Sequence, residues 1–178
     1  RTVIFTRTKV VYKDGWGVQL SDYRGNTVKK LPLGGDKTHL IASYNDDFYY
    51  SDGKSIYRYD TISETVESIA DYGYKIIYDT KAIYCIPTSA TIANGAFYWV
   101  FTKISMRDRK TTAIFIPKIN VDRADDIELK DGKLMLKNGE QIQTVSTGSD
   151  SSRSELLRIL GGELEEAYSI LKGTKPRG

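Results

Sequence analysis

This chain is poor in the residues from which reactive and metal sites are usually built. Its 178 residues include one cysteine, Cys85, and one histidine, His39. A single cysteine excludes a disulfide within the chain, and the two residues together exclude most zinc sites built from several His and Cys ligands. Because His39 opens a predicted strand and Cys85 has apolar neighbours, we expect a structural histidine and a buried thiol. The sequence therefore predicts no catalytic residue, no metal site and no cofactor.

Long apolar runs and an excess of one charge are missing as well. No stretch reaches the roughly 18 apolar residues of a membrane-spanning helix, and no signal peptide is visible, so we expect no membrane span and leave the compartment open. The composition is that of a soluble protein. The 26 Lys and Arg are interspersed with 23 Asp and Glu, which disfavours nucleic-acid binding. Because the chain starts at Arg1, we expect a processed product or a piece of a longer protein.

Two stretches of the chain align over twenty residues without a gap. Residues 12–31 read YKDGWGVQLSDYRGNTVKKL, and residues 50–69 read YSDGKSIYRYDTISETVESI. Six positions are identical, and they are Tyr12/Tyr50, Asp14/Asp52, Gly15/Gly53, Asp22/Asp60, Thr27/Thr65 and Val28/Val66. Self-similarity with a period of 38 residues predicts repeated structural units.

The runs between turn signals favour short antiparallel strands. β-branched and aromatic residues, including 13 Tyr, alternate between Asp-Gly, Asn-Asp and Asn-Gly turns. We predict a mainly β domain over residues 1–146 made of four-stranded antiparallel meanders, in units of about 1–35, 36–73, 74–117 and 118–146. Residues 88–95 are expected to form a polar insertion. Residues 147–178 are expected to form a polar linker and a short amphipathic helical segment, whose start fits a capping box.

The segment FYYSDGKSIYRYD (residues 48–60) resembles a blade of the β-propellers with YWTD-type repeats, found in lipoprotein-receptor ectodomains. Phe48, Tyr49, Tyr50, Ser51 and Asp52 occupy the motif positions, and residues 10–14 form a degenerate copy. The resemblance implies a fold and carries no catalytic residue. Three arrangements stay open, namely a compact four-unit propeller, a fragment of a larger ring, and an open sheet or sandwich.

The function hypotheses follow from the lack of a catalytic set and the wealth of aromatic residues. The first is a non-enzymatic structural or interaction module that belongs to a larger assembly, such as a virion or a multi-protein complex. Its protein partner would contact the apolar stripe of the terminal helix, represented by Leu156, Leu160, Leu164 and Tyr168. The second is a domain that binds a glycan or a cell surface through exposed rings. The candidate binding residues are Trp16, Tyr57, Tyr59, Tyr98 and Trp99.

A glycoside hydrolase is the third and least favoured hypothesis. Such enzymes use two carboxylates, and this chain has acidic clusters such as Asp46-Asp47 and Asp125-Asp126. Aspartate is also common at turns, where it accepts backbone hydrogen bonds. No spacing in the sequence selects one catalytic pair.

Overall fold

The computed structural model describes residues 3–15, 17–31, 33, 37–93, 95–118, 123–138 and 141–145. The prediction of a mainly β protein is confirmed for this part of the chain, and two of its four antiparallel sheets have the predicted four strands. The chain divides into two compact units, Arg1–Ile69 and Ala70–Gly178. The predicted C-terminal helical segment, residues 147–178, lies outside the described residues.

The first unit contains two four-stranded antiparallel sheets, each with its strands in chain order. Sheet 1 consists of β1 (Val3–Phe5), β2 (Val10–Asp14), β3 (Gly17–Ser21) and β4 (Thr27–Leu31). Sheet 2 consists of β5 (His39–Tyr44), β6 (Asp47–Ser51), β7 (Ser55–Asp60) and β8 (Thr65–Asp71). The last two residues of β8, Ala70 and Asp71, belong to the second unit. The Asp-Gly turn between β6 and β7 has Gly53 at φ 89°, a left-handed conformation that glycine adopts without a steric penalty.

One face of each sheet forms the core of the first unit. In sheet 2 this face carries Phe48 and Tyr50, which pair across β6 and β7 with Tyr59 and Tyr57. These rings pack in one cluster with apolar side chains of sheet 1, which are Ile4, Val11, Val18, Leu20 and Leu31. The alternation in β7 explains the arrangement, because residues two apart in a strand share a face.

The second unit contains a five-stranded and a three-stranded antiparallel sheet. Sheet 3 consists of β9 (Lys75–Tyr78), β10 (Ala82–Ile86), β11 (Thr91–Ala93), β12 (Ala96–Ser105) and β13 (Thr111–Pro117). Sheet 4 consists of β14 (Ile127–Lys130), β15 (Lys133–Asn138) and β16 (Gln141–Val145), and a 3-10 turn, Ala124–Asp126, precedes it. The segment expected to be a polar insertion therefore contains a strand, β11.

The core of the second unit joins sheets 3 and 4. Tyr84, Trp99 and Phe101 of sheet 3 pack in one cluster with Ile127 and Leu134 of sheet 4. Trp99 pairs across β12 and β13 with Ile116, and Phe101 pairs with Ile114. Large rings and aliphatic side chains therefore fill the space between the two sheets, and burial of this apolar surface stabilises the unit.

Among the described residues, no strand pairing joins the two edge strands of a sheet to each other. Neither a closed barrel nor a closed propeller is found in the part of the chain that the structure describes. Within the same residues, no helix has the length and apolar character needed to cross a membrane.

Candidate functional site

The predicted binding residues fall into three groups in the structure. Trp16 lies outside the described residues, as do the four residues of the predicted partner helix, which are Leu156, Leu160, Leu164 and Tyr168. Tyr57 and Tyr59 lie on β7 in the first unit. Tyr98 and Trp99 lie on β12 in the second unit.

Tyr98 and Trp99 are buried, with exposed fractions of 7% and 6%. Trp99 belongs to the core of the second unit, and Tyr98 points to the opposite face of β12 because adjacent strand residues alternate. A sugar stacks on an exposed ring face, and neither ring offers one. The exposed ring on this strand is Phe97, and the ammonium group of Lys118 lies 5.9 Å from its centroid.

Tyr57 belongs to a small aromatic and acidic cluster on sheet 2. Its ring stacks on Tyr50 with a centroid distance of 5.1 Å, and its hydroxyl donates to the carboxylate of Asp52 at 2.9 Å. That hydrogen bond raises the pKa of Tyr57, because it stabilises the protonated phenol beside a negative charge. Burial raises the pKa of Tyr50 to about 12. Both phenols therefore stay neutral at physiological pH.

The equivalent position of sheet 1 carries a polar cluster instead. Tyr12, which is 38 residues before Tyr50, donates its hydroxyl to Oε1 of Gln19 at 3.0 Å. The amide nitrogen of Gln19 donates to the carboxylate of Asp14. Gln19 is thus equivalent to Tyr57, and Asp14 is equivalent to Asp52. In both sheets, the aspartate accepts a hydrogen bond from a side chain of the following strand.

An apolar patch lies on the outer face of sheet 1. Phe5 and Tyr23 are 59% and 58% exposed, and their rings stack with a centroid distance of 6.5 Å and an interplanar angle of 17°. Val3 is exposed beside them on the same strand face as Phe5. We call Val3, Phe5 and Tyr23 the sheet 1 patch. Sequence analysis missed it, although the alternation in TVIFT places Val3 and Phe5 opposite the buried Ile4.

A cavity of about 280 Å³ lies in the second unit. Its floor comes from the face of sheet 3 opposite the core, where Cys85, Val100 and Thr102 are buried. The segment after β10 supplies Pro87, Thr88, Ser89 and Thr91, and the segment from β8 to β9 supplies Asp71 and Gly73. This cavity thus combines one carboxylate with several hydroxyl groups.

Two backbone features hold the wall of this cavity in place. Gly73 has φ 73°, and a Cβ atom there would overlap the carbonyl oxygen of Ile86. The same oxygen accepts a hydrogen bond from the amide of Tyr74 at 2.8 Å. Because only glycine allows this close approach, the sequence fixes the segment that carries Asp71 against the end of β10.

Cys85 lines the cavity as a buried thiol. Burial, and secondarily the negative charge of Asp71, raise the pKa of its thiol to about 12. Reactive cysteines need a lowered pKa, because the thiolate is the attacking species. The expected buried thiol is thus what the structure shows.

The repeated aspartates shape turns. Asp22 and Asp60, which are 38 residues apart, both accept backbone hydrogen bonds from residues two positions ahead, Arg24 and Ile62. Asp52 does the same with Lys54, which is the usual reason for aspartate at a turn. No group of three or more His, Cys, Asp or Glu side chains that could hold a metal ion occurs within the described ranges.

No protein-family model matches this chain, and no curated protein matches it.

Proposed function

We propose that this chain is a non-enzymatic interaction module and a subunit of a larger assembly, built from blade-like sheets of the type that form β-propellers. The observation that carries the proposal is the sheet 1 patch, where two stacked aromatic rings and a valine face solvent. Exposed apolar patches of this kind usually mark interaction sites. The occupant that we propose is the same face of a second copy of this chain.

The strand registers support packing of one sheet on another. Tyr12 lies opposite Gln19 in sheet 1, and Tyr50 lies opposite Tyr57 in sheet 2, so the two pairings coincide at an offset of 38 residues. At that offset, the outer face of sheet 1 corresponds to the face of sheet 2 that packs in the core of the first unit. A second β-sheet is therefore the natural cover for the outer face of sheet 1.

The charges on the outer face of sheet 1 favour a second copy of the chain as the source of the covering sheet. The strand pairings place one carboxylate, Asp14, and one ammonium group, Lys30, on the face that carries Val3 and Phe5. Two copies related by a two-fold axis would bury the same patch on both sides. Because each face holds one charge of each sign, the contact brings no excess of like charges together.

Sedimentation equilibrium of the full chain over a range of concentrations tests this proposal. We expect a reversible dimer, which Phe5→Ser weakens by about 1.5–3 kcal/mol per copy through the loss of a buried apolar side chain. Ile62→Ser is the matched control, because Ile62 is a similarly exposed apolar residue on a different turn. A monomer at every soluble concentration, or equal dimerisation of both variants, would contradict the proposal.

Glycan binding through Trp16, Tyr98 and Trp99 stays a prediction, and the burial of Tyr98 and Trp99 gives it no support. The glycoside hydrolase hypothesis also stays a prediction. Asp22, Asp52 and Asp60 accept backbone hydrogen bonds at turns, and this engagement offers no support for an acid–base pair.

A further inference from the structure

We infer that the cavity lined by Asp71, Cys85 and Thr102 binds a primary alkylammonium group, with Asp71 as its counter-ion. This inference is independent of the proposed self-association, because every lining residue lies in the second unit, whereas the sheet 1 patch lies in the first. The cavity volume of about 280 Å³ is just below the range of about 300–1,000 Å³ that is typical of pockets for drug-sized ligands. The ligand is therefore small.

The charge of the cavity selects a cation. Asp71 is the one ionisable carboxyl group among the lining residues, and Lys, Arg and His are absent from them. No described residue forms an ion pair with Asp71. A positively charged group that enters the cavity would therefore meet a carboxylate that no lysine or arginine in the described part of the chain already neutralises.

The remaining lining selects an ammonium group on a short aliphatic stem. Hydroxyl groups of Thr88, Ser89, Thr91 and Thr102 can accept the hydrogen bonds of an ammonium group. Pro87 and Val100 supply apolar surface for methylene groups. The neutral thiol of Cys85 adds a further weakly polar wall, since burial keeps it protonated. Small-molecule sites commonly combine an apolar lining with a few placed polar groups in this way.

Two sources could supply this chemistry, namely a free small amine and the side chain of a lysine. We choose n-butylammonium as the probe for the first and Nα-acetyl-lysine N-methylamide for the second. Butan-1-ol is the neutral control, because it keeps the aliphatic stem and a hydrogen-bonding group but lacks the charge. Titration of the isotope-labelled full chain, followed by the amide signals of Cys85, Thr88 and Thr102, reports binding at the cavity itself.

We expect saturable shifts of these signals with n-butylammonium and none with butan-1-ol at equal concentration. Shifts with the blocked lysine at comparable affinity would identify a lysine side chain as an acceptable ligand, and their absence would restrict the site to free amines. If n-butylammonium produces no saturable shift, or if butan-1-ol binds equally well, the inference is overturned.

Two variants test the assigned contacts. Asp71→Asn should weaken n-butylammonium binding by about twofold to fivefold, because it removes the charge of a solvent-exposed carboxylate while keeping the size of the side chain. Asp131→Asn removes the same charge from an exposed turn outside the cavity and should change nothing. Thr102→Val should weaken binding severalfold by the loss of one acceptor. Equal affinity in Asp71→Asn and Asp131→Asn would rule out Asp71 as the counter-ion.

Discussion

The two sheets of the first unit use the same strand register for opposite purposes. In sheet 2, the face that carries Phe48, Tyr50 and Tyr59 is buried in the core. In sheet 1, the positions 38 residues earlier hold Val10, Tyr12 and Ser21, and the exposed Phe5 and Tyr23 lie on this outer face. Large rings are placed where another sheet covers them. Where no described sheet does, the face has smaller and more polar residues, with an aromatic pair beside them.

This difference shows how one backbone pattern serves two environments. The hydrogen-bond chain from Tyr12 through Gln19 to Asp14 satisfies the polar groups of sheet 1. In sheet 2, the stacked rings of Tyr50 and Tyr57 fill the corresponding space and leave one hydroxyl to bind Asp52. Both solutions satisfy the same requirement, because an unpaired polar group is costly when it is buried, and the buried Gln19 is paired with both Tyr12 and Asp14.

The largest effect should come from removing a ring on the covered face. Phe48→Ala should lower the free energy of unfolding by about 3–5 kcal/mol, since Phe48 is completely buried and its loss leaves a cavity. The equivalent substitution Val10→Ala should cost clearly less, because Val10 is half-buried and small. Urea denaturation of both variants measures the contrast. Equal losses would show that the two faces are not differently packed.

The next largest effect should be a loss of stability at alkaline pH that comes from the buried Tyr50 on the covered face of sheet 2. The pKa of Tyr50 is raised to about 12 by burial, so the unfolded chain loses this proton first as the pH rises above about 10. Stability that Tyr50 contributes is therefore present at neutral pH and is lost progressively between about pH 10 and 12. Tyr50→Phe should remove this part of the decline in urea denaturation. An unchanged pH profile in the variant would contradict the burial of the phenol.

Removal of the hydrogen bond between Tyr57 and Asp52 should have a smaller effect on the free energy of unfolding. Tyr57→Phe should destabilise the first unit by about 1–2 kcal/mol, because it removes a hydrogen bond to a charged group. The pKa of Asp52 is lowered mainly by backbone hydrogen bonds from Ser55 and Lys54, and further by Tyr57. The stability from this carboxylate is thus present above the unfolded pKa near 4 and is lost as the pH falls through the lower folded value.

A pH series of urea denaturation checks that sign. The difference in unfolding free energy between the wild type and Tyr57→Phe should shrink as the pH falls below about 4 and then through the lowered pKa of Asp52 in the folded state. A difference that grows towards low pH would mean that the carboxylate does not accept this hydrogen bond in its charged form.

Removal of the hydroxyl group of Tyr59 should have the smallest effect on stability. This group is buried and has no hydrogen-bond partner among the described residues. Tyr59→Phe should therefore leave stability unchanged within about 0.5 kcal/mol or raise it, because no hydrogen bond is lost and no polar group must be desolvated. Thermal unfolding of Tyr59→Phe beside Tyr57→Phe compares two neighbouring phenols. A loss as large as that of Tyr57→Phe would indicate an acceptor for Tyr59.

Much of the strand structure could be read from the sequence, because it depends on local alternation and turn residues. The alternation in SIYRYD placed Tyr57 and Tyr59 on one face, and both pair across the sheet with Tyr50 and Phe48 as that pattern requires. The Asp-Gly turn between β6 and β7 follows from the conformational freedom of Gly53.

Burial and the cavity could not be read in the same way, because they depend on contacts between distant segments. From the sequence alone, Tyr98 and Trp99 cannot be told apart from exposed rings that bind a sugar. In the structure, the packing of sheet 3 on sheet 4 buries Trp99. β11 was missed because its strand conformation depends on a partner and not on a local pattern. β10 pairs only with residues 102–105 of the long β12, and β11 pairs with residues 96–98 of the same strand. The cavity with Asp71 needs the close approach of Gly73 to Ile86, which no local pattern reveals.

Hydrogen–deuterium exchange of the full chain at low and high protein concentration tests the role of the sheet 1 patch most directly. If the outer face of sheet 1 packs on a second copy, amides in β1 and around Tyr23 should exchange more slowly at high concentration, while those of β6 and β7 stay unchanged. Equal exchange of β1 at both concentrations, or protection confined to another sheet, would contradict the account.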